Sequence, residues 1–162
     1  MGPAGATLVV VKEDILGKVS RNIPSIMDYK VHIENGSMYN TPPVFAVYTS
    51  MLTLEWLKNL GGLKAIEDLN EKKAKLMYSE IDINPLFKGF AAKEDRSIMN
   101  ATFTLENENL KETFETMLKE AGISGLNGHR SVGGYRASMY NALPIESVKV
   151  LVEVMSELEN KA

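Results

Sequence analysis

The stretch MNATFTL, residues 99–105, decides how the rest of the chain is read. Met99, Ala101, Phe103 and Leu105 alternate in it with Asn100, Thr102 and Thr104. A two-residue period sends alternate side chains to opposite faces and predicts a half-buried strand. Downstream, Leu110, Phe114, Met117, Leu118 and Ala121 recur at helical spacing, with Gly122 placed as a C-cap. A second short strand is predicted around Tyr135 to Tyr140. Pro144 then opens a last helix carrying Val148, Leu151, Val152, Met155 and Leu158. Strand and helix thus alternate through residues 83–162, the pattern of a compact α/β unit.

Working back from that unit, Leu63 to about Ile81 is amphipathic. Leu63, Ile66, Leu69, Met77 and Ile81 fall on one side and Glu67, Glu71, Lys72 and Lys75 elsewhere, which predicts a helix lying on a surface. Before it, a helix is predicted from Thr41 to about Leu60, closed by Gly61-Gly62, with Thr41 as N-cap and Pro42 in the first helical position. Its apolar residues, among them Phe45, Tyr48, Met51, Leu54 and Trp56, occupy several faces, so it is expected to be buried by other elements. Residues 12–39 are turn-rich, with Gly17, Pro24 and Asn35-Gly36, and read as a long functional loop anchored by Ile15, Leu16, Ile23, Ile26 and Met27. At the start, a GPAG turn leads into Thr7 to Val11, a β-branched run expected to form a buried strand.

Composition bounds what such a chain can do. Its 162 residues are 44% hydrophobic and 24% charged, enough for a real core. Eighteen Lys and Arg stand against 21 Asp and Glu, and the net charge of -3 gives no field favouring a polyanion. Nucleic acid is therefore not an expected partner. No apolar run approaches the roughly 18 to 20 residues that span a bilayer, and Leu8 to Val11 is too short for a signal-peptide core, so a cytoplasmic protein with no membrane partner is expected. The absence of cysteine excludes disulfides, thiolate catalysis and cysteine-ligated metal, and two histidines leave little for any metal site. The sequons at Asn35 and Asn100 carry no weight in a cytoplasmic chain, and the nine methionines read as core packing.

Chemistry has two places to sit. In GLNGHRSVGGYRAS, residues 125–138, three potential cations, His129, Arg130 and Arg136, share a glycine-rich stretch. Glycine lets backbone approach a ligand, and a guanidinium matches carboxylate or phosphate with two parallel hydrogen bonds. Two readings stand at this point: a cradle for a dianion, or a turn whose arginines pair with surface carboxylates. The second place is Asn40-Thr41-Pro42-Pro43 at the start of the apolar helix. A helix N-terminus with polar side chains suits an anion, while plain capping explains the same residues. His32, with no partner pattern around it, reads as structural.

Four segments together resemble one family: GPAG at Gly2 to Gly5, DYKVHIENGSMYNTPP at Asp28 to Pro43, EDRSIMN at Glu94 to Asn100 and GHRSVGGYRASMYNALP at Gly128 to Pro144. In this order they resemble the C-terminal part of the phosphoserine aminotransferases, pyridoxal-phosphate (PLP) enzymes of fold type I, the aspartate-aminotransferase type. Asn127 and Thr102 stand where that family often has Lys and Pro. The resemblance implies an α/β fragment made of the end of a large domain (residues 1–41), connecting helices (42–82) and a small α/β sandwich domain (83–162). It implies amino transfer between glutamate and 3-phosphohydroxypyruvate, giving phosphoserine for serine biosynthesis, in a homodimer. Asn40 and Thr41 would reach the phosphate of the neighbouring subunit's cofactor. Arg136 would bind the substrate α-carboxylate, and His129 and Arg130 the distal phosphate or carboxylate. The family's Schiff-base lysine would lie upstream of Met1, so this chain alone is expected to lack a catalytic residue, to hold no PLP and to be inactive. Two alternatives remain at this point: a non-catalytic module binding a phosphorylated metabolite, and a fragment of another fold type I transaminase of the alanine-glyoxylate or serine-pyruvate type.

Overall fold

A computed structural model describes residues 2–130 and 133–162 of the chain. The chain divides into two compact units, Met1–Leu60 and Gly61–Ala162.

The first unit holds two 3-10 turns, Glu13–Ile15 and Ser25–Met27, a short helix α1 (Tyr29–Glu34) and a longer helix α2 (Val44–Asn59). The Asp28 carboxylate caps α1 by accepting from the Lys30 N–H at 2.9 Å. A helical turn therefore sits inside the stretch expected to be loop. Thr7–Val11 is not a strand, and Leu8 and Val10 are exposed. Its β-branched residues favour extended backbone, but the described residues of the unit offer no second strand to complete a ladder. The predicted helix start also moves. Pro43 is the N-cap of α2, and Thr41 is not. The residue before a proline is pushed out of the helical region, so Pro42 cannot begin a helix that Pro43 follows. Within α2 only Ala46 is buried, against the expectation of burial on all sides. Two turns, a six-residue helix and extended chain supply too little surface to cover it. The hydroxyls of Thr49, Ser50 and Thr53 donate back to the carbonyls four residues earlier, at 2.8, 2.8 and 2.9 Å, so these polar groups satisfy themselves within the helix.

The second unit holds α3 (Gly62–Ile83), β1 (Phe87–Gly89), β2 (Asn100–Leu105), α4 (Lys111–Glu120), β3 (Tyr135–Ser138) and α5 (Ile145–Lys161). The strands form one antiparallel sheet with β2 in the centre, in the register Phe87↔Leu105 on one side and Thr102↔Arg136 on the other. Alternation works as read: Ala101, Phe103 and Leu105 are buried while Asn100, Thr102 and Thr104 are not. The buried face packs against α3, α4 and α5, through Met77 and Ile81, Phe114 and Leu118, and Val148, Met155 and Leu158. Phe87, Phe103, Phe114 and Tyr135 interlock at its centre, with ring centroids 5.1 to 5.7 Å apart.

On α3 the buried residues are Ile66, Asn70, Lys73, Ala74, Met77, Glu80 and Ile81, a stripe at helical spacing. Leu63, predicted on that stripe, is exposed in the first turn. Asn84 closes α3. Its amide donates to Glu80 Oε1 at 2.8 Å and to the Met155 carbonyl of α5 at 3.1 Å, and its Oδ1 accepts from the Leu86 N–H at 3.1 Å. One buried side chain thereby turns the chain out of the helix and into β1. Among the described residues no helix is long and apolar enough to cross a membrane.

Candidate functional site

Three elements position the basic residues of the second unit. On β3, Tyr135 and Ala137 point into the core, so Arg136 between them projects from the open face, opposite Thr102 of β2. Its backbone N–H is spent on the Leu126 carbonyl at 2.6 Å, which lays the preceding segment along the strand. The guanidinium is exposed, and among the described residues it has no ion pair. Arg136 also borders a hollow of about 360 Å³ with Ser124, Leu126, Ser138, Leu143 and Ser147.

His129 and Arg130 sit on the loop that enters β3. The Gly128 N–H donates to the Gly134 carbonyl at 2.9 Å and the Gly133 N–H to the His129 carbonyl at 2.8 Å, while Asn127 bridges to Tyr135. Glycine is required here. A Cβ on Gly128 would run into the Gly133 carbonyl, and one on Gly134, whose φ is +63°, would lie 2.7 Å from the Phe103 carbonyl oxygen. The tight loop holds His129 and Arg130 side by side and exposed, on a hollow of about 480 Å³ with Thr104, Glu108, Glu115 and Tyr135. His129 and Arg130 are thus brought together, and Arg136, on the following strand, borders a different hollow. The glycines do make a turn, as the plainer reading held. Its other half is not met: neither Arg130 nor Arg136 is ion-paired to a carboxylate among the described residues. Ser131 and Val132 lie outside the described residues.

The arginine that does pair with an acid is Arg96, in the EDRSIMN segment, which the reading of single residues passed over. Its two terminal nitrogens grip the Asp82 carboxylate at 2.9 and 2.6 Å, and its guanidinium carbon lies 4.5 Å from the centre of the Tyr78 ring. Lys93 adds a contact at 3.2 Å. Chiefly through the Arg96 hydrogen bonds, the Asp82 carboxyl is held down to about 2. The Tyr78 hydroxyl donates to the Ser97 carbonyl at 3.0 Å, so the segment entering β2 is tied to α3. Across the sheet, burial pushes the Tyr135 phenol up to about 12, helped by the carboxylates of Glu115 and Glu108.

In the first unit, Asn40 and Thr41 are exposed and line a cleft of about 700 Å³ together with Gly5, the Thr7–Val11 segment, His32 and Pro43. Neither side chain donates a hydrogen bond within the described residues, so both keep polar groups for a ligand. Those donors fit a phosphate. The described lining includes no lysine that could bond covalently to an aldehyde cofactor. His32 is held by a 2.7 Å hydrogen bond between its Nε2 and the Ile26 carbonyl, and by an edge-on contact with Tyr39 at 5.8 Å.

The sequence and the fold of the chain both match a known family. Residues 1–151 match the aminotransferase class-V family, and the chain belongs to it. It is similar to phosphoserine aminotransferases in particular. Over 161 residues it is 70% identical to that of Flavobacterium psychrophilum, and over 163 residues 53% identical to that of Porphyromonas gingivalis, covering 99% of this chain and 45% of each relative. Among solved structures, a phosphoserine aminotransferase studied for radiation damage of its Schiff base superposes with a TM-score of 0.88 at 48% identity, over 99% of this chain and 45% of that one. The enzyme from Bacillus circulans subsp. alkalophilus gives 0.83 at 39% identity, over 93% and 42%. A PLP-bound phosphoserine aminotransferase from Trichomonas vaginalis gives 0.74 at 42% identity, over 85% and 40%. The mixed helix-and-sheet fold is thus part of a fold type I aminotransferase. The chain spans less than half the length of the relatives it matches.

Proposed function

We propose that this chain is the C-terminal part of a cytoplasmic, PLP-dependent phosphoserine aminotransferase. That enzyme moves the amino group between glutamate and 3-phosphohydroxypyruvate and yields 2-oxoglutarate and phosphoserine. The observation that carries the reading is the Arg136 guanidinium, projecting from the open sheet face with no carboxylate of the described chain bound to it. A planar fork left unpaired suits a substrate carboxylate, which it meets with two parallel hydrogen bonds.

His129 and Arg130 then serve the distal end of the substrate. Glutamate carries a carboxylate there and phosphoserine a phosphate, so His129 and Arg130 serve both substrates in turn. Asn40 and Thr41 donate to the phosphate of the cofactor, held by the neighbouring subunit of a homodimer. Bound PLP supplies the electron sink for breaking the bond at the amino-bearing carbon. The contribution of this chain is orientation and charge. Taken alone it holds no catalytic residue and does not turn over.

The test uses the complete aminotransferase containing this segment. Arg136→Gln is expected to weaken glutamate and phosphoserine alike, by about 30-fold to several-thousand-fold, the range for truncating one partner of a charge pair that the bound substrate desolvates. Unchanged kcat/KM for both would sink the assignment. Alanine-glyoxylate and serine-pyruvate transaminases need no second anion site. An enzyme that handles serine and alanine as fast as phosphoserine would therefore favour that alternative over the role given to His129 and Arg130. For the isolated chain, PLP followed by borohydride is expected to label no lysine stoichiometrically, and stoichiometric labelling with turnover would overturn the claim of inactivity.

A further inference from the structure

Lys73 has no place in the function described so far, and no side chain of the described protein is more deeply buried for its size. It lies on the core-facing stripe of α3 with none of its surface exposed. No carboxylate pairs with it among the described residues. Its ammonium instead donates to three backbone carbonyls, Met139 at 3.2 Å, Tyr140 at 2.7 Å and Leu143 at 3.1 Å. An ammonium has three N–H groups and all three are used. A buried charge with no counter-ion is costly, and a hydrophobic side chain of the same length would fill the space without that cost. What the charge gains here is a three-point hold on one short run of backbone.

That run is the chain leaving β3. Met139 follows the last strand residue, Ser138, and stands three residues after Arg136. Its N–H donates to the Met99 carbonyl at 2.8 Å while its carbonyl accepts from Lys73, so the strand end is bound on the side of β2 and on the side of α3 together. One turn before Lys73, the Asn70 amide donates to Asn141 Oδ1 at 2.9 Å and pins the middle of the same run. On its other edge β3 is held by the Arg136 N–H to the Leu126 carbonyl.

We propose that Lys73, assisted by Asn70, is a positioning residue for substrate binding: by gripping the carbonyls of Met139, Tyr140 and Leu143 it fixes the end of β3 and with it the direction of the Arg136 guanidinium. The inference rests on the reading of Arg136 as the carboxylate-binding residue. Lys73 touches neither substrate nor cofactor and acts through the strand. Misplacing a binding group by about 1 Å is enough to weaken binding severely, so a loosened strand end reads out at the substrate.

The experiment compares Lys73→Met, Asn70→Ala and Arg136→Gln in the complete aminotransferase, measuring KM for glutamate, kcat and hydrogen exchange over residues 135–143. Methionine keeps the length and apolar body of the stem and removes only the three donors. Lys73→Met is expected to raise KM about tenfold with kcat within about twofold, and to speed exchange in that segment. A purely structural role would lower the yield of folded enzyme and leave KM unmoved. Faster exchange with unchanged KM would therefore overturn the proposal, as would a fall in kcat at constant KM. Should Lys73→Met give no folded enzyme, Asn70→Ala decides: a KM raised about threefold supports the proposal and an unchanged KM refutes it. Arg136→Gln separates the two levels. If it leaves KM for glutamate unchanged, the underlying reading of Arg136 has failed; if it raises KM while neither α3 variant does, only the positioning role has failed.

Discussion

Replacing Gly128 by alanine tests whether the glycine loop exists to hold His129 and Arg130 in place. The added methyl would lie 2.9 Å from the Gly134 carbonyl oxygen and closer still to that of Gly133, inside the 3.0 Å that real Cβ atoms respect. The opposing backbone has little room, because Gly134, at a φ of +63°, runs so close to the Phe103 carbonyl that even a Cβ on it would lie 2.7 Å from that oxygen. Relief means lengthening the 2.9 Å bond from Gly128 to Gly134 or the 2.8 Å bond from Gly133 to His129. Overpacking of this kind costs about 1–3 kcal/mol, and a lost backbone hydrogen bond adds about 1. The stability loss is expected at about 2–3 kcal/mol. The functional effect is more specific. His129 is the next residue, and its displacement on the order of 1 Å is worth up to ~10²-fold at a substrate anion. The assay is kcat/KM of the complete enzyme for phosphoserine divided by that for alanine, which has no distal anion. Gly128→Ala is expected to lower the ratio at least tenfold. An equal fall for both substrates, or none in a variant of unchanged melting temperature, would refute the argument that the loop exists to present His129 and Arg130.

Three further outcomes follow from the second unit. Phe114 is fully buried, with ring neighbours at 5.1 and 5.2 Å, so Phe114→Ala is expected to cost about 3–5 kcal/mol, read from the denaturant midpoint at constant slope. The Asp82 carboxyl is held down to about 2, so folding favours its charged form. The stabilisation is complete above about pH 4 and is lost as pH falls toward 2. For a carboxylate this exposed it is worth about 1 kcal/mol after screening, and Asp82→Asn should abolish that part of the acid dependence. The Tyr135 hydroxyl is buried with no hydrogen-bond partner in the described structure, so Tyr135→Phe should leave stability unchanged or raise it by up to about 1 kcal/mol. The variant should also lose the tyrosinate absorbance that appears near pH 12.

Much of the second unit was legible because its signals are local. The alternation in MNATFTL marks β2 within one residue, and the helical spacing through Phe114 and Leu118 marks α4. β1 escaped because three residues, Phe87 to Gly89, cannot show a period, and it is a strand only because β2 lies beside it. The first unit was misread for the converse reason. Thr7 to Val11 and α2 are apolar enough to be interior, but burial depends on what surrounds them, and nothing in their own residues reports that. At the site, residue types were readable and geometry was not. The sequence placed His129, Arg130 and Arg136 in one stretch, and it takes the pleat of β3 to send Arg136 to a different hollow. Arg96 and Lys73 were overlooked because their partners are remote, Asp82 on α3 and the carbonyls after β3. A lysine at helical spacing between Ile66 and Met77 was the signal available for the latter.

Phe45, Tyr48, Leu52 and Trp56 recur every three or four positions along α2 and are all substantially open to water. Trp56 is also the only tryptophan in the chain. The protein therefore carries its own optical gauge: whatever comes to lie over that ridge will dry the indole and move its emission to shorter wavelength, with no label added.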